Sequence, residues 1–260
     1  MSMSVLATPG RVPASALRKL TLTEFRLFLR ERVGPIWAVG FPIVLLIIFG
    51  SIPSFRKPVS SSLPGVSVLD AYVPILIAFV LAMLALNVLP PVLAGYREKG
   101  ILRRLATTPV GPGRVLFAQI FISFSVTIVT LVLLLAVARI AYHVALPRQA
   151  GGFVLAALLG FAALLALGLF ISAVASTGRM ANAVGAIIFF PLMFFAGLWL
   201  PISSMPKVLQ HISHATPLGA AVQALQDSWQ GQFPPTLLLV TLAIYIVVLG
   251  VAATRLFRWE

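Results

Sequence analysis

The stretch YREKGILRRLATTP, residues 96–109, lies between two long apolar runs and carries five charged side chains within eight residues. Charge is scarce elsewhere, because only 10% of the 260 residues are charged while 60% are hydrophobic. A charged segment in such a chain marks a surface that meets water, lipid headgroups or another protein. The stretch therefore indicates an integral membrane protein whose working contact lies at one membrane face.

The composition predicts an all-α integral membrane protein. Mean hydropathy is +1.06, far above that of a soluble domain. Crossing the hydrocarbon takes about 20 apolar residues in a helix. Six transmembrane helices are predicted, the second beginning with Asp70 as its N-cap and Pro74 near its first turn. Their predicted ranges are 36–52, 69–94, 114–142, 153–176, 182–200 and 236–254.

The segment before the first span divides into two parts. Residues 1–20 hold turn-forming Pro and Gly and few large apolar side chains, which predicts a disordered cytosolic tail. Residues 21–34 show helical periodicity with one apolar side, and Thr21 with Glu24 fits a capping box. This pattern predicts an amphipathic interface helix lying in the headgroup layer. Residues 35–260 are then a six-helix transmembrane domain.

The longest connector, residues 201–235, predicts two short helices. Thr216 followed by Pro217 is a good N-cap and first-turn pair, and Leu218, Val222 and Leu225 share one face of the second helix. Both helices are too short to cross the membrane. They form either a short extracellular re-entrant helical hairpin or two helices on the outer surface.

Basic residues indicate the orientation. With the N-terminus in the cytosol, 14 of the 19 lysines and arginines fall on the inner side and 5 on the outer side. The positive-inside rule then places both termini in the cytosol with an even number of spans. The formal net charge of +13 is accordingly interpreted as orientation and contact with anionic membrane lipid, not as binding to nucleic acid.

Several classes of function are disfavoured. The six acidic residues all lie outside the middle of the predicted spans, whereas ion-coupled carriers keep ionisable groups at membrane depth. The chain has no Gly-x-x-x-x-Gly-Lys-Ser/Thr phosphate-binding loop. It has no cysteine, and His211 and His214 have no acid or third ligand nearby, so no metal site is predicted. No paired acids or histidines suggest an embedded enzyme.

Polar and aromatic side chains within the spans suggest a translocation path. Helix packing is the alternative explanation for them, since hydroxyl and small residues also let helices approach. Pro90 and Pro91 remove two backbone donors and predict a kink just before the charged loop. The residues assigned to the path are Asn87, Gln119, Ser123, Asn182, Phe189, Phe190 and Phe194.

The charged loop resembles the most recognisable motif of the ABC-2 family of transporter membrane subunits, particularly the bacterial daunorubicin-resistance type of exporter permease. The matching residues run from Glu98 to Leu105, as EKGILRRL, and continue with Thr108 and Pro109. The outer stretch LPISSMP at 200–206, with Pro217 and Leu218, is also similar, as is the tail RLFRW at 255–259. The likeness covers nearly the whole chain from about residue 21.

The resemblance implies six spans per subunit, two permease copies or paralogues, and two cytosolic ATP-binding subunits that bind ATP and Mg. No cofactor is expected in this chain. The loop would couple to the ATPase, with the interface helix as a second contact, and spans two and five would line the path. The implied coupling residues are Glu98, Gly100, Ile101, Leu102, Arg103, Arg104 and Leu105, with Glu24, Arg26 and Arg30.

The expected function is ATP-driven export of an amphipathic substrate, such as a drug, lipid or glycolipid, across the bacterial inner membrane. Hydroxyl and aromatic groups without fixed charge in the spans favour that substrate class. A stand-alone membrane pore or scaffold, with the loop serving only as a lipid-binding basic helix, is the alternative.

Overall fold

The computed structural model describes Phe25 and residues 36–57, 67–106 and 112–256. Apart from Phe25, the predicted tail 1–20 and interface helix 21–34 lie outside the described residues. The described ranges are mainly helical. In chain order the helices are α1 (Phe41–Ser51), preceded by a π turn (Ile36–Gly40), α2 (Val68–Met83), a π segment (Leu84–Val88), α3 (Leu89–Glu98), α4 (Ile101–Ala106), α5 (Pro112–Tyr142), α6 (Ala150–Val174), α7 (Gly178–Phe195), α8 (Lys207–Ala215), α9 (Pro217–Gln230) and α10 (Thr236–Leu256).

Five helical runs in the described part of the chain are long and apolar enough to cross a membrane. They are Val68–Glu98, Gly113–Tyr142, Ala150–Val174, Gly178–Phe195 and Thr236–Leu256. Each overlaps a predicted span, which supports a multi-pass membrane protein. The shorter α1 coincides with the first predicted span, so the count of six spans remains a prediction.

The beginning of α2 is held by a capping box that differs from the prediction. Ser67, not Asp70, is the N-cap, and its hydroxyl accepts a hydrogen bond from the Asp70 amide at 3.2 Å. The Asp70 carboxylate in turn accepts bonds from the Ser67 amide and, at 3.0 Å, from the Ala145 amide. Asp70 is buried, and it ties the start of α2 to the loop after α5. Pro74 lies in the second turn of α2.

Pro90 and Pro91 shape the middle of the run from α2 to α3. The Leu89 amide donates to the Leu84 carbonyl, five residues back, which makes Leu84–Val88 a π segment. Because prolines have no N–H, the Leu86 carbonyl has neither an i+4 nor an i+5 backbone donor. The residue at i+5 from Ala85 is Pro90, which has no N–H to donate to the Ala85 carbonyl. The Leu89 amide at i+4 is already bonded to the Leu84 carbonyl. The predicted kink is therefore a π bulge at which the Ala85 and Leu86 carbonyls lack their usual helical donors.

Glycines of two neighbouring helices receive these carbonyls. A Cβ added at Gly168 of α6 would collide with the Ala85 carbonyl oxygen, and one added at Gly185 of α7 would collide with the Leu86 carbonyl oxygen. Only glycine permits this approach, and it brings Cα–H groups to oxygens that lack N–H donors. The π segment is thus wedged between α6 and α7, with Leu84, Ala85 and Leu86 completely buried.

The connector at residues 201–235 forms the predicted pair of helices. Thr216 caps α9 by accepting a bond from the Gly219 amide at 3.1 Å, with Pro217 at the first position, as predicted. Leu218, Val222 and Leu225 are completely buried. Helix α9 packs on α6, α10 and α2, and α8 is more exposed.

The depth of this pair follows from two hydrogen bonds. The Tyr245 hydroxyl donates to the Ala215 carbonyl at 3.1 Å, at the junction of α8 and α9. Tyr245 lies about 13 Å along α10 from Thr236, at 1.5 Å per residue. At the other end of α9, the Ser228 carbonyl accepts a bond from the Gln149 amide, next to the start of α6. The pair therefore reaches well into the bundle.

Replacing Gly168 or Gly185 by alanine should destabilise the fold by about 1–3 kcal/mol, because a methyl group has no room beside the π-segment carbonyls. Thermal unfolding of Gly168→Ala and Gly185→Ala in detergent measures this effect. Gly250→Ala on α10 is the control, since nothing lies within 4 Å of its added Cβ. Equal unfolding midpoints for all three variants would show that the fold does not need glycine beside these carbonyls.

Candidate functional site: an aromatic cavity and a charged loop

A cavity of about 580 Å³ lies between α1, the run from α2 through the π segment, and α7. Three helical stripes supply its wall, and most of their residues recur at spacings of three or four. None of the lining residues is charged. They are Phe41, Leu45 and Phe49 of α1, Phe79, Met83, Asn87 and Val88 of the second run, Asn182, Ala186, Phe189, Phe190 and Met193 of α7, and Leu198 and Trp199 beyond it.

A chain of aromatic rings crosses the cavity wall. Phe41 and Phe79 have centroids 5.4 Å apart, Phe79 meets Phe189 edge-on at 5.4 Å, and Phe189 meets Phe190 at 5.8 Å. Phe79 and Phe189 are buried, whereas Phe190 and Trp199 are more than half exposed. The exposed rings leave one side of the cavity open, and such a surface suits a flat apolar molecule.

Asn87 supplies polarity within this apolar wall. It lies on the π segment, and its Nδ2 is buried without a hydrogen-bond partner in the described structure. A buried donor left unpaired costs about 1–3 kcal/mol. This nitrogen is shielded from solvent, so Asn87 brings a polar amide to the cavity wall without exposing that donor to the cavity.

The charged loop turns at Gly100, whose φ of +66° is left-handed and suits glycine. The turn starts α4, where Leu102 is buried and Ile101 and Leu105 are half-buried. The side chains of Arg103 and Arg104 are exposed. The loop thus presents a basic face while its apolar stripe packs inward.

The two charges before this turn have partners within the chain. Arg97 donates to the carbonyls of Ala173 and Ala175, at the end of α6. Glu98 accepts a bond from the Gly178 amide, the first residue of α7, at 3.0 Å. Arg97 and Glu98 therefore bind the α6–α7 turn.

Comparison with known proteins identifies the family to which the chain belongs. The family model described as ABC-2 type transporter matches residues 15–229, which is more than half of the chain. The chain belongs to the ABC-2 type transporter family. A comparison with curated proteins found no match.

Membership makes the chain the transmembrane component of an ABC-type transporter. Members of the ABC-2 family are membrane subunits that normally pair with an ABC ATP-binding subunit. In the described part of this ABC-2 subunit, no three His, Asp or Glu side chains are grouped to hold a metal ion.

Four of the seven residues assigned to the path line the cavity of the ABC-2 subunit: Asn87, Asn182, Phe189 and Phe190. Gln119 and Ser123 instead lie on a buried face of α5 that does not line this cavity, and Phe194 packs against Phe195 with centroids 5.4 Å apart. Of the residues assigned to coupling, Glu24, Arg26 and Arg30 lie outside the described residues, as do Thr108 and Pro109 of the motif.

Sequence reasoning missed the contribution of α1 to the cavity. The signal was present, because Phe41, Leu45 and Phe49 recur every fourth residue. It could not be distinguished from the apolar residues around them, since a membrane helix is apolar on every side. It also missed Arg97, whose partners are backbone carbonyls.

Asp227 lies near the end of α9, outside the predicted spans. Burial raises the pKa of its carboxyl group, and this effect outweighs the opposing hydrogen bond from Gln223, at 3.0 Å, and the charge of His214. The folded state consequently holds this proton more tightly than the unfolded chain does. The stabilisation linked to that proton is complete below the unfolded pKa and is lost as the pH rises through the folded pKa.

Asp227→Asn should therefore be more stable than the parent near neutral pH, and its advantage should shrink as the pH falls from about 7 towards about 4. Asparagine preserves the shape and an oxygen for Gln223. Unfolding midpoints of both proteins across this range test the sign. A parent that loses stability relative to the variant on acidification would contradict it.

Filling the cavity should weaken binding within it. Ala186→Trp places an indole among the lining residues, and we expect binding of an uncharged aromatic dye to weaken about tenfold or more, which corresponds to ~1.4 kcal/mol. Val247→Trp on the exposed face of α10 is the matched control. Dye fluorescence titrations on the purified full chain measure both variants, and unchanged binding in Ala186→Trp would exclude the cavity as the dye site.

Proposed function

We propose that this ABC-2 subunit is the permease of a bacterial exporter of the daunorubicin-resistance type, which moves an amphipathic molecule outward. Two ABC ATP-binding subunits would bind and hydrolyse ATP with Mg, and a second permease copy or paralogue would complete the membrane part. This chain would bind no nucleotide or other cofactor itself. The observation that carries the proposal is the uncharged aromatic cavity, which adjoins the π segment leading directly to an exposed basic loop.

The wall of the cavity supports an amphipathic substrate. Six aromatic rings and several aliphatic side chains provide apolar surface, while Asn87 and Asn182 provide hydrogen bonding without charge. A bare ion would lose its hydration in such a site without compensation. A drug, lipid or glycolipid with a flat or extended apolar part and a polar acceptor fits these groups.

The outer helices support the release step of the proposal. We propose that α8 and α9 form a re-entrant hairpin that dips into the outer leaflet and helps to close the exit. The bond between Tyr245 and Ala215 and the complete burial of Leu218 and Val222 favour this hairpin over two surface helices. In this topology α1 is the first of six spans, and both termini lie on the cytosolic side of the inner membrane.

The ATP-binding subunits would act on the loop from the cytosol. Arg103 and Arg104 offer two exposed positive charges beside the inward-packed Leu102. Their proposed partner is an acidic groove of the ATP-binding subunit, where charge complementarity sets both orientation and specificity. The amphipathic helix 21–34, with Glu24, Arg26 and Arg30, is proposed as a second contact.

Reversing the loop charges tests the function. Arg103→Glu combined with Arg104→Glu should abolish ATP-driven transport while the protein still inserts and folds, because the basic face then repels an acidic partner. The measurements are capture of an ATP-binding subunit by the tagged chain, followed by ATP hydrolysis and dye transport in proteoliposomes.

The matched control reverses two exposed charges at the opposite end of the molecule, Lys57→Glu with Lys207→Glu. It should retain capture and transport. Transport by the purified chain without any ATP-binding subunit would instead favour a stand-alone pore. Unchanged ATP-driven transport in the loop variant would exclude the two arginines as the coupling contact.

A further inference from the structure

The two charges that precede the turn at Gly100 face opposite ends of two different helices. The Arg97 guanidinium lies at the C-terminal end of α6, where it donates to the Ala173 carbonyl at 3.1 Å and to the Ala175 carbonyl. The Glu98 carboxylate lies at the N-terminal end of α7, where it accepts from the Gly178 amide. Neighbouring side chains of opposite charge thus meet helix ends of opposite polarity.

Both contacts satisfy groups that a helix leaves open. The last carbonyls of a helix and its first amides have no partners within it. A cation is favoured at the C-terminal end of the helix dipole, and an anion at the N-terminal end. At the start of α7 two side chains accept bonds from two different amides. The Thr177 hydroxyl accepts from the Met180 amide at 3.1 Å, and the Glu98 carboxylate accepts from the Gly178 amide. At both sites the charge of the side chain is therefore opposite to the partial charge of the helix end.

The backbones also approach closely at this place. A Cβ added at Gly178 would lie 3.0 Å from the Pro91 carbonyl oxygen and 3.5 Å from the Gly95 Cα. Helix α3 and the start of α7 therefore touch along a glycine contact, next to the two charged contacts. Loop and helix ends are joined over a surface, not at a single bond.

We propose that Arg97 and Glu98 are positioning residues that hold the charged loop and the inner ends of α6 and α7 together as one body. A push on the loop then reaches α7 directly and moves Asn182 and Ala186 in the wall of the cavity. In this arrangement Glu98 binds the start of α7 within the chain, and the exposed arginines of α4 bind the partner subunit. The inference rests on the proposed function, because the link transmits force only if a partner acts on the loop.

A distance measurement on the chain alone tests the link. The sequence contains no cysteine, so spin labels can be placed at Arg103→Cys on α4 and Ile187→Cys on the exposed side of α7 without removing native thiols. The full chain in nanodiscs should give one narrow distance population. Glu98→Ala and Arg97→Ala should lose that single population and show added longer distances, whereas Glu98→Gln, which keeps an acceptor oxygen, should be intermediate.

Lys99→Ala is the matched control, because Lys99 is adjacent, charged and exposed. It should keep the narrow population. Unfolding midpoints are measured on every variant, and Glu98→Gln with Arg97→Gln replace the alanine variants if those do not fold. Unchanged distances in the Glu98 and Arg97 variants, or the same broadening in Lys99→Ala, would overturn the proposal.

A second readout separates positioning from docking. In the complex captured with an ATP-binding subunit, Glu98→Ala should keep the partner bound and lose transport per ATP hydrolysed. Loss of the partner itself would make Glu98 a docking residue and overturn the positioning role. Failure of the proposed function has a different signature, since the spin-label result is obtained without any partner.

Discussion

Two consecutive prolines, placed where the longest apolar run is surrounded by other helices, create a problem of hydrogen bonding that the neighbouring structure resolves. Pro90 and Pro91 deprive upstream carbonyls of donors, and no water is at hand in a membrane interior to replace them. The run widens into a π segment, and α6 and α7 each present a glycine to one released oxygen. The close packing of these helices depends on this accommodation.

The same bulge determines the character of the cavity. A π turn rotates the residues that follow it relative to a regular helix, and such turns are often found at functional sites. Here it sets Asn87, with an unpaired buried donor, beside the rings of Phe79 and Phe189. A regular helix without these two prolines would satisfy its own carbonyls and would not need Gly185 at this approach. Polarity inside the cavity and tight packing outside it therefore have one cause.

Features set by local sequence were predictable, and features set by partners across the bundle were not. Long apolar runs gave five helices near their predicted ranges, and Thr216 with Pro217 marked the start of α9. The tandem prolines predicted a kink, but its partner Gly185 lies almost a hundred residues further along the chain. Which side of α1 faces the cavity was also hidden, because an apolar helix carries no polar face to orient it. Ser67 is the N-cap because α2 begins at Val68, which makes Asp70 the N3 partner in the same capping box.

The charged loop shows why counting charges was insufficient. All its charges had the same meaning in the sequence, yet Arg97 and the exposed Glu98 bind helix ends within the chain, and Arg103 is an exposed side chain of α4. Under the proposed function this division has a mechanical consequence. Helices α6 and α7 hold the π segment through their glycines and hold the loop through their inner ends, so α3 is fixed to them twice. Movement of the loop would then carry α3, α6 and α7 together, and the strain would fall on the π segment, where the wall of the cavity joins α2.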